Sequence, residues 1–322
     1  MYSILLVSPA NEILLLHRVK TSSSFASAHV FPGGNLSAKQ DGAIPAPDSP
    51  DRHKDSEVYR IGAIRECFEE SGILLARDAS GNMLTIEDAE KEEARTAIHA
   101  NKLNFVEWVQ SKGGVIDTAA LIPFTRWVTP IGVPRRFTTQ MYIYFWPLTN
   151  GSSSKSLLSG KAEAEILVPT SDGGKEHTEA VFRSCQEWTE RGSKGDVILF
   201  PPQYYLMHQL AKFLTNATTS VEELERQREE ARKFLNGTGG NDVTWAEKCI
   251  SPQTFGLYQG RAVLDLSKPG PELKDSGRKG ETGDVVLVKF SKAGPREVEV
   301  KSRAEVMEGM RVEAKATEGA KL

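Results

Sequence analysis

Three glutamates, Glu66, Glu69 and Glu70, stand close together on a stretch bounded by marks of a helix start and stop. Asp55 or Ser56 can cap the start, Gly72 can end it, and Gly62 is the one Gly or Pro between. At about 100° per residue the three carboxylates and Gly62 share one side, while Ile61, Ile64 and Phe68 share the other. Residues three and four apart are surface neighbours, so these like charges repel, and a bound cation would reverse the repulsion. Donors that are all oxygen suit Mg²⁺ or Mn²⁺, and Mg²⁺ commonly bridges a few carboxylates, waters and substrate phosphates. Gly62 leaves room on that face for a phosphate. The bland alternative for glutamates on a helix is a solvated acidic surface.

The flanking residues argue against the bland alternative. Ser3 to Val7 and Glu12 to Val19 are apolar runs separated by Ser-Pro-Ala-Asn, the pattern of a hairpin. Ala28 to Gly34, AHVFPGG, is a strand running into a tight glycine turn. The helix itself contains RECFEESGI, Arg65 to Ile73, with Glu57 eight positions before Arg65. Arg-Glu, two residues, Glu-Glu, one residue and Gly, with apolar Cys67 and Ile73 and the upstream Glu57, resembles the back half of the Nudix signature. That family implies metal-dependent hydrolysis of phosphoanhydride bonds in nucleoside diphosphates linked to another group. It also implies a mixed α/β (α+β) fold, a Nudix-type α/β/α sandwich around a mixed sheet. The signature places its glycine five residues before the glutamate, whereas 22 residues, 35–56, separate Gly34 from Glu57. This insertion, rich in Asp, Pro, Ser and Ala, reads as a surface loop of low energetic cost.

Four further segments, AHVFPGG, RWVTP with PRRF, TEAVF followed by EW, and LFPPQYY, resemble the peroxisomal coenzyme A diphosphatase branch of the Nudix family. The resemblance covers about residues 1–214. It implies CoA or acyl-CoA as substrate, with 3′,5′-ADP and 4′-phosphopantetheine or its acyl form as products. Glu66, Glu69 and Glu70 would then hold Mg²⁺ or Mn²⁺, and Arg65 would fix Glu57 or a ligand carboxylate. Gly33 and Gly34 would border the substrate. A base from a downstream loop is assigned to Glu179, with Glu176 and His177 as neighbours able to replace it. Arg135 and Arg136 would clamp the CoA 3′-phosphate, and Phe200 and Tyr204 would line a pocket for adenine or the acyl chain. Ordinary structural roles compete at these positions: a solvated basic turn, and core aromatics beside a proline-fixed turn. NADH, ADP-ribose or another nucleoside diphosphate derivative is the alternative substrate class, and a non-catalytic nucleotide-binding module is the remaining alternative.

The rest of the chain bounds these readings. A length of 322 residues suffices for a full core, and a net charge of −3 gives no broad attraction to nucleic acid. No apolar run reaches the length of a membrane span. Cys67, Cys185 and Cys249 are widely spaced, without zinc spacing, and suit a reducing compartment. Ala320, Lys321 and Leu322 form a variant of the tripeptide read by the peroxisomal import receptor; the expected address is the peroxisome, otherwise the cytoplasm. The expected organisation is a Nudix domain at 1–214, with loop (35–56) and helical (86–112) insertions. A charged bridging helix and Gly-rich linker at 215–241, a β-rich appendage at 242–311 and a flexible tail at 312–322 follow. A strand at Glu165 to Val168 and an edge strand at Thr178 to Phe182 are also expected.

Overall fold

The computed structural model describes residues 1–19, 26–46, 49–133, 135–148, 169–170, 176–215, 220–238 and 243–319. Strand β1, Tyr2–Val7, is buried at all six positions, as an apolar run covered on both faces requires. It pairs in parallel with β7, Thr138–Phe145, from Tyr2 opposite Gln140 to Val7 opposite Phe145. The expected hairpin forms: β2, Ile13–Arg18, runs antiparallel to β1, with Asn11 at a φ of 58° in the turn. The two strands meet only near that turn, at Val7 opposite Ile13. Beyond it they diverge and the AHVFPGG segment enters the gap. Its strand β3, His29–Val30, pairs with β2, while the Ile4 amide donates to Pro32 (2.9 Å) and the Tyr2 amide to Gly34 (3.2 Å).

The sheet is completed by β6, Ile122–Val128, beside β7, and β9, Cys249–Ile250, beside β6. The predicted edge strand is β8, His177–Arg183, which pairs with β2 on its outer side. The sheet is therefore mixed, as expected.

One face carries the predicted carboxylate helix α1, Glu57–Ser71, with α2, Asp88–His99, and α3, Phe105–Ser111. A small ribbon of β4, Ala76–Arg77, and β5, Val115–Ile116, joins them. Gly72 ends α1 at a φ of 74°, and its amide donates to Phe68 (2.9 Å). Ile64 and Phe68 face the core as the period required. The glycine notch at Gly62 is not open to phosphate, however. It receives the Tyr2 ring, and a Cβ there would lie 2.3 Å from a ring carbon.

The opposite face is covered by α4, Cys185–Lys194, α5, Pro201–Leu210, and α6, Val221–Asn236. An antiparallel sheet of β10, Gln253–Tyr258, β11, Arg261–Asp265, β12, Asp284–Ser291, and β13, Gly294–Ser302, joins the same core. Leu264, Val286 and Val298 thus share one apolar cluster with Leu5, Phe124 and Ile143, so the appendage is packed on the body. Two expectations need correction. Helix α6 is no solvated bridge: Leu224, Ala231 and Leu235 are buried, and Arg228 donates to Asn11 (2.7 Å), Ser8 (2.7 Å) and Trp146 (2.6 Å). Nor is residue 312 onward a plain tail, because α7 spans Arg303–Gly319. The strand expected at Glu165 to Val168 and the tripeptide Ala320, Lys321, Leu322 lie outside the described residues. Among the described residues, no helix is long and apolar enough to cross a membrane.

Gly62→Ala is expected to lower stability by about 1–3 kcal/mol, because the new methyl overlaps the Tyr2 ring. Denaturant unfolding checks this; an unchanged midpoint would mean that Tyr2 leaves the notch freely.

Candidate active site

The three glutamates occupy the C-terminal half of α1, where the AHVFPGG segment meets the helix. A Cβ on Gly33 would lie 2.3 Å from the Tyr2 carbonyl, and one on Gly34 would lie 2.4 Å from the Glu66 carboxylate. Both positions need glycine because the chain and the carboxylates press so closely together. The Gly33 amide donates to Glu70 Oε2 at 2.8 Å. Among the described residues these glycines therefore position carboxylates.

Arg65 is the hub. Its side chain is buried, and Nε and Nη2 reach the two oxygens of Asp41 at 2.7 and 3.1 Å. Nη1 reaches Glu66 at 3.0 Å and Glu69 at 2.7 Å, while Nη2 also donates to the Tyr2 hydroxyl at 2.6 Å. Glu57, expected as a partner, instead accepts from the Thr118 hydroxyl (2.7 Å) at the far end of the helix. Asp41 lies in the insertion read as a surface loop, yet it is buried. Sequence reasoning missed it because no local pattern distinguishes it from the other polar residues of that loop.

Glu69 has both oxygens engaged: Oε1 by Arg65, and Oε2 by His99 Nδ1 at 3.1 Å. His99 comes from α2, as does Arg95, whose Nε and Nη2 donate to the Glu69 carbonyl at 3.2 and 2.9 Å. A cation there also complements the helix C-terminus. Glu66, Glu69, Glu70, Glu92, Arg95, Thr96, His99 and Glu176 line a cleft with about 30 Å³ of space, room for an ion or a water.

Three carboxylates, Asp41, Glu66 and Glu69, thus share Arg65, and a fourth, Glu70, stands close to Glu66. The charge shortage is felt at Glu66 and Glu70. Burial pushes Glu66 up to about 7, against the pull of Arg65 and with the help of Glu69. Burial likewise holds Glu70 well above the usual carboxylate range, with Glu66 adding to it. Glu70, Glu176 and buried His177 bring ligand atoms within 4.8 Å of one another. His177 Nε2 lies 3.7 Å from Glu70 Oε1. Hard oxygen donors with uncompensated charge, closed by one imidazole, fit a divalent cation, which would remove the penalty on Glu66 and Glu70.

The other expected site residues are more dispersed. Glu179 is exposed on β8 opposite His17 and does not line the cleft; Glu176 does. Arg135 and Arg136 are exposed at the β6–β7 turn, and Arg136 donates to Glu272 at 3.0 Å. Tyr204 is buried in the core beside Gly192, and half-buried Phe200 precedes α5 while packing against the α1-side core. Neither aromatic lines the cleft.

The NUDT19 Nudix domain family matches residues 48–210. The acyl-coenzyme A diphosphatase NUDT19 of Gallus gallus is 30% identical over 63% of this chain and 61% of its own length. Its namesake from Xenopus laevis is 27% identical over 63% of this chain and 60% of its own. The match thus spans about three fifths of the length of these relatives. A crystal structure of a NUDIX hydrolase from Alicyclobacillus acidocaldarius aligns with 69% of this chain and 92% of its own, at 20% identity and a TM-score of 0.46.

Asp41→Asn removes the bidentate carboxylate from the Arg65 guanidinium and leaves Glu66 and Glu69 as its counter-charges. Stability should fall by about 1–3 kcal/mol, with loss of activity as Arg65, which holds the Glu66 and Glu69 carboxylates, loses its anchor. Chemical denaturation and turnover of the same preparation check this; wild-type values for both would show that Arg65 needs no partner from the insertion.

Proposed function

The chain belongs to the NUDT19 Nudix domain family, and on that premise we propose that it hydrolyses the pyrophosphate of CoA and acyl-CoA. The products are 3′,5′-ADP and 4′-phosphopantetheine, or its acyl form. The observation that carries this reading is the convergence of Glu66, Glu69 and Glu70 on one cleft beneath the glycine turn. The printed names of the relatives from Gallus gallus and Xenopus laevis support the substrate class.

Glu70 and His177 would hold the cation, with Glu66 beside them and Glu176 at the cleft wall. A bound Mg²⁺ or Mn²⁺ supplies charge neutralisation at the phosphate oxygens and acidifies a water. The chain's own residues do the rest. The Gly33 amide orients Glu70, while Arg65 and His99 hold both oxygens of Glu69 and fix its rotamer. Glu176, at the cleft wall, is better placed than Glu179 to take the proton of the attacking water. Water's oxygen bonds to phosphorus, the bridging P–O bond breaks, and the leaving phosphate departs as an anion. Positioning and charge account for most of such a reaction, since phosphoryl transfer needs little covalent help. Arg135, exposed on the β6–β7 turn, is offered as a contact for the 3′-phosphate. The terminal Ala320, Lys321 and Leu322 would address the protein to the peroxisome through the import receptor.

Product analysis with Mg²⁺, comparing CoA, acetyl-CoA, NADH and ADP-ribose, tests the proposal. Release of 3′,5′-ADP from the CoA substrates well above the other rates is the expected result. Preference for NADH or ADP-ribose would replace the substrate class, and no turnover of any of the four would make the chain a binding module.

A further inference from the structure

Away from the carboxylate cleft, Arg126 presents an unusual burial. It lies on β6 at 0% exposure, and its Nε, Nη1 and Nη2 have no hydrogen-bond partner among the described residues. The guanidinium rests over the Tyr59 ring, 5.2 Å from its centre, so its flat face is covered while its donor edge stays unmatched. A buried guanidinium without an acceptor is costly, since five donors and a full charge have left water.

Its surroundings deepen the problem. Arg278 and Arg126 repel each other, and half-buried His53 feels Arg126, Arg278 and Arg52 together. His53 Nδ1 and Thr138 Oγ1 are also buried without partners. The acid within reach of His53, Glu272, is engaged by Arg136. Cations and unmatched donors therefore outnumber the one acid named here, Glu272, which Arg136 already holds.

We propose that this cluster binds a phosphate-class oxyanion, drawn to the Arg126 guanidinium with Arg52, Arg278, His53 and the Thr138 hydroxyl around it. A guanidinium edge matches two phosphate oxygens at once, which a lysine would not. The rim residues Arg52, His53 and Arg278 are partly exposed, which gives the anion a way in. Tyr59 precedes Glu66 by seven residues on α1, so the cluster lies roughly 10 Å along the helix from the carboxylates. It is a second site, beside the N-terminal end of the same helix. The anion can be free phosphate or a phosphate monoester of the nucleotide substrate, and the latter source alone rests on the CoA reading.

Thermal unfolding of the full chain tests the site without needing turnover. Inorganic phosphate, compared with chloride at equal ionic strength, is expected to raise the wild-type midpoint by about 2 °C at ten times its Kd. Arg126→Met should unfold above the wild type in phosphate-free buffer, because it removes an unmatched charge, and should lose the phosphate shift. Arg278→Ala, at the partly exposed rim, should keep the fold and show a smaller shift. Equal shifts in phosphate and chloride, or a phosphate shift retained in Arg126→Met, would overturn the proposal. Where CoA is turned over, competition by phosphate against CoA but not against its analogue lacking the 3′-phosphate assigns the site to the substrate. Competition against neither assigns it to free phosphate.

Discussion

The candidate site depends on one buried charge cluster, the Arg65 fan. A single guanidinium binds Asp41 through two nitrogens, reaches Glu66 and Glu69, and is braced by the Tyr2 hydroxyl. Burying such an assembly carries a large desolvation cost, and it persists only when nearly every donor is matched. Asp41 supplies the match from one side, while the Tyr2 ring fills the Gly62 notch and holds β1 against α1. The fold leaves more carboxylates than cations around Arg65, and a divalent cation can offset part of that deficit.

Placement of the cluster follows from the splayed hairpin. Because β1 and β2 touch only near their turn, the AHVFPGG segment can bond to both and bring Gly33 and Gly34 against α1. The large insertion that follows is not an ornament on this arrangement. It leaves the glycine turn, buries Gln40 and Asp41, and Gln40 donates to the Leu103 carbonyl at 2.9 Å. The insertion thereby ties the helical cover of α2 and α3 to the charge cluster. His99 and Arg95 then reach Glu69 from that cover.

Much of this was legible in the sequence, for identifiable reasons. Helix α1 follows from its period and its terminal Gly72, and β1 and β2 from apolar runs between turn residues. Asp41 was not legible, because its burial comes from a contact 24 residues away in sequence with Arg65. Glu176 could not be separated from Glu179, since the pairing of β8 with β2 shifts register between His17 and Arg18. A one-residue slip turns every side chain to the other face of a strand, and no composition reveals it. Helix α6 shows the converse: its abundant charge suggested a solvated bridge, but a narrow stripe of Leu224, Ala231 and Leu235 is enough to dock it.

The claim that the α1 cleft holds a divalent cation is tested most directly by calorimetric titration of Mg²⁺ into wild type and Glu70→Gln. Saturable binding in the wild type that disappears in Glu70→Gln, with the unfolding midpoint of the metal-free proteins preserved or raised, is the result expected. The rise would come from removing a buried carboxylate held far above its usual range. Equal affinity in the two proteins would contradict the account and move any metal away from the cleft.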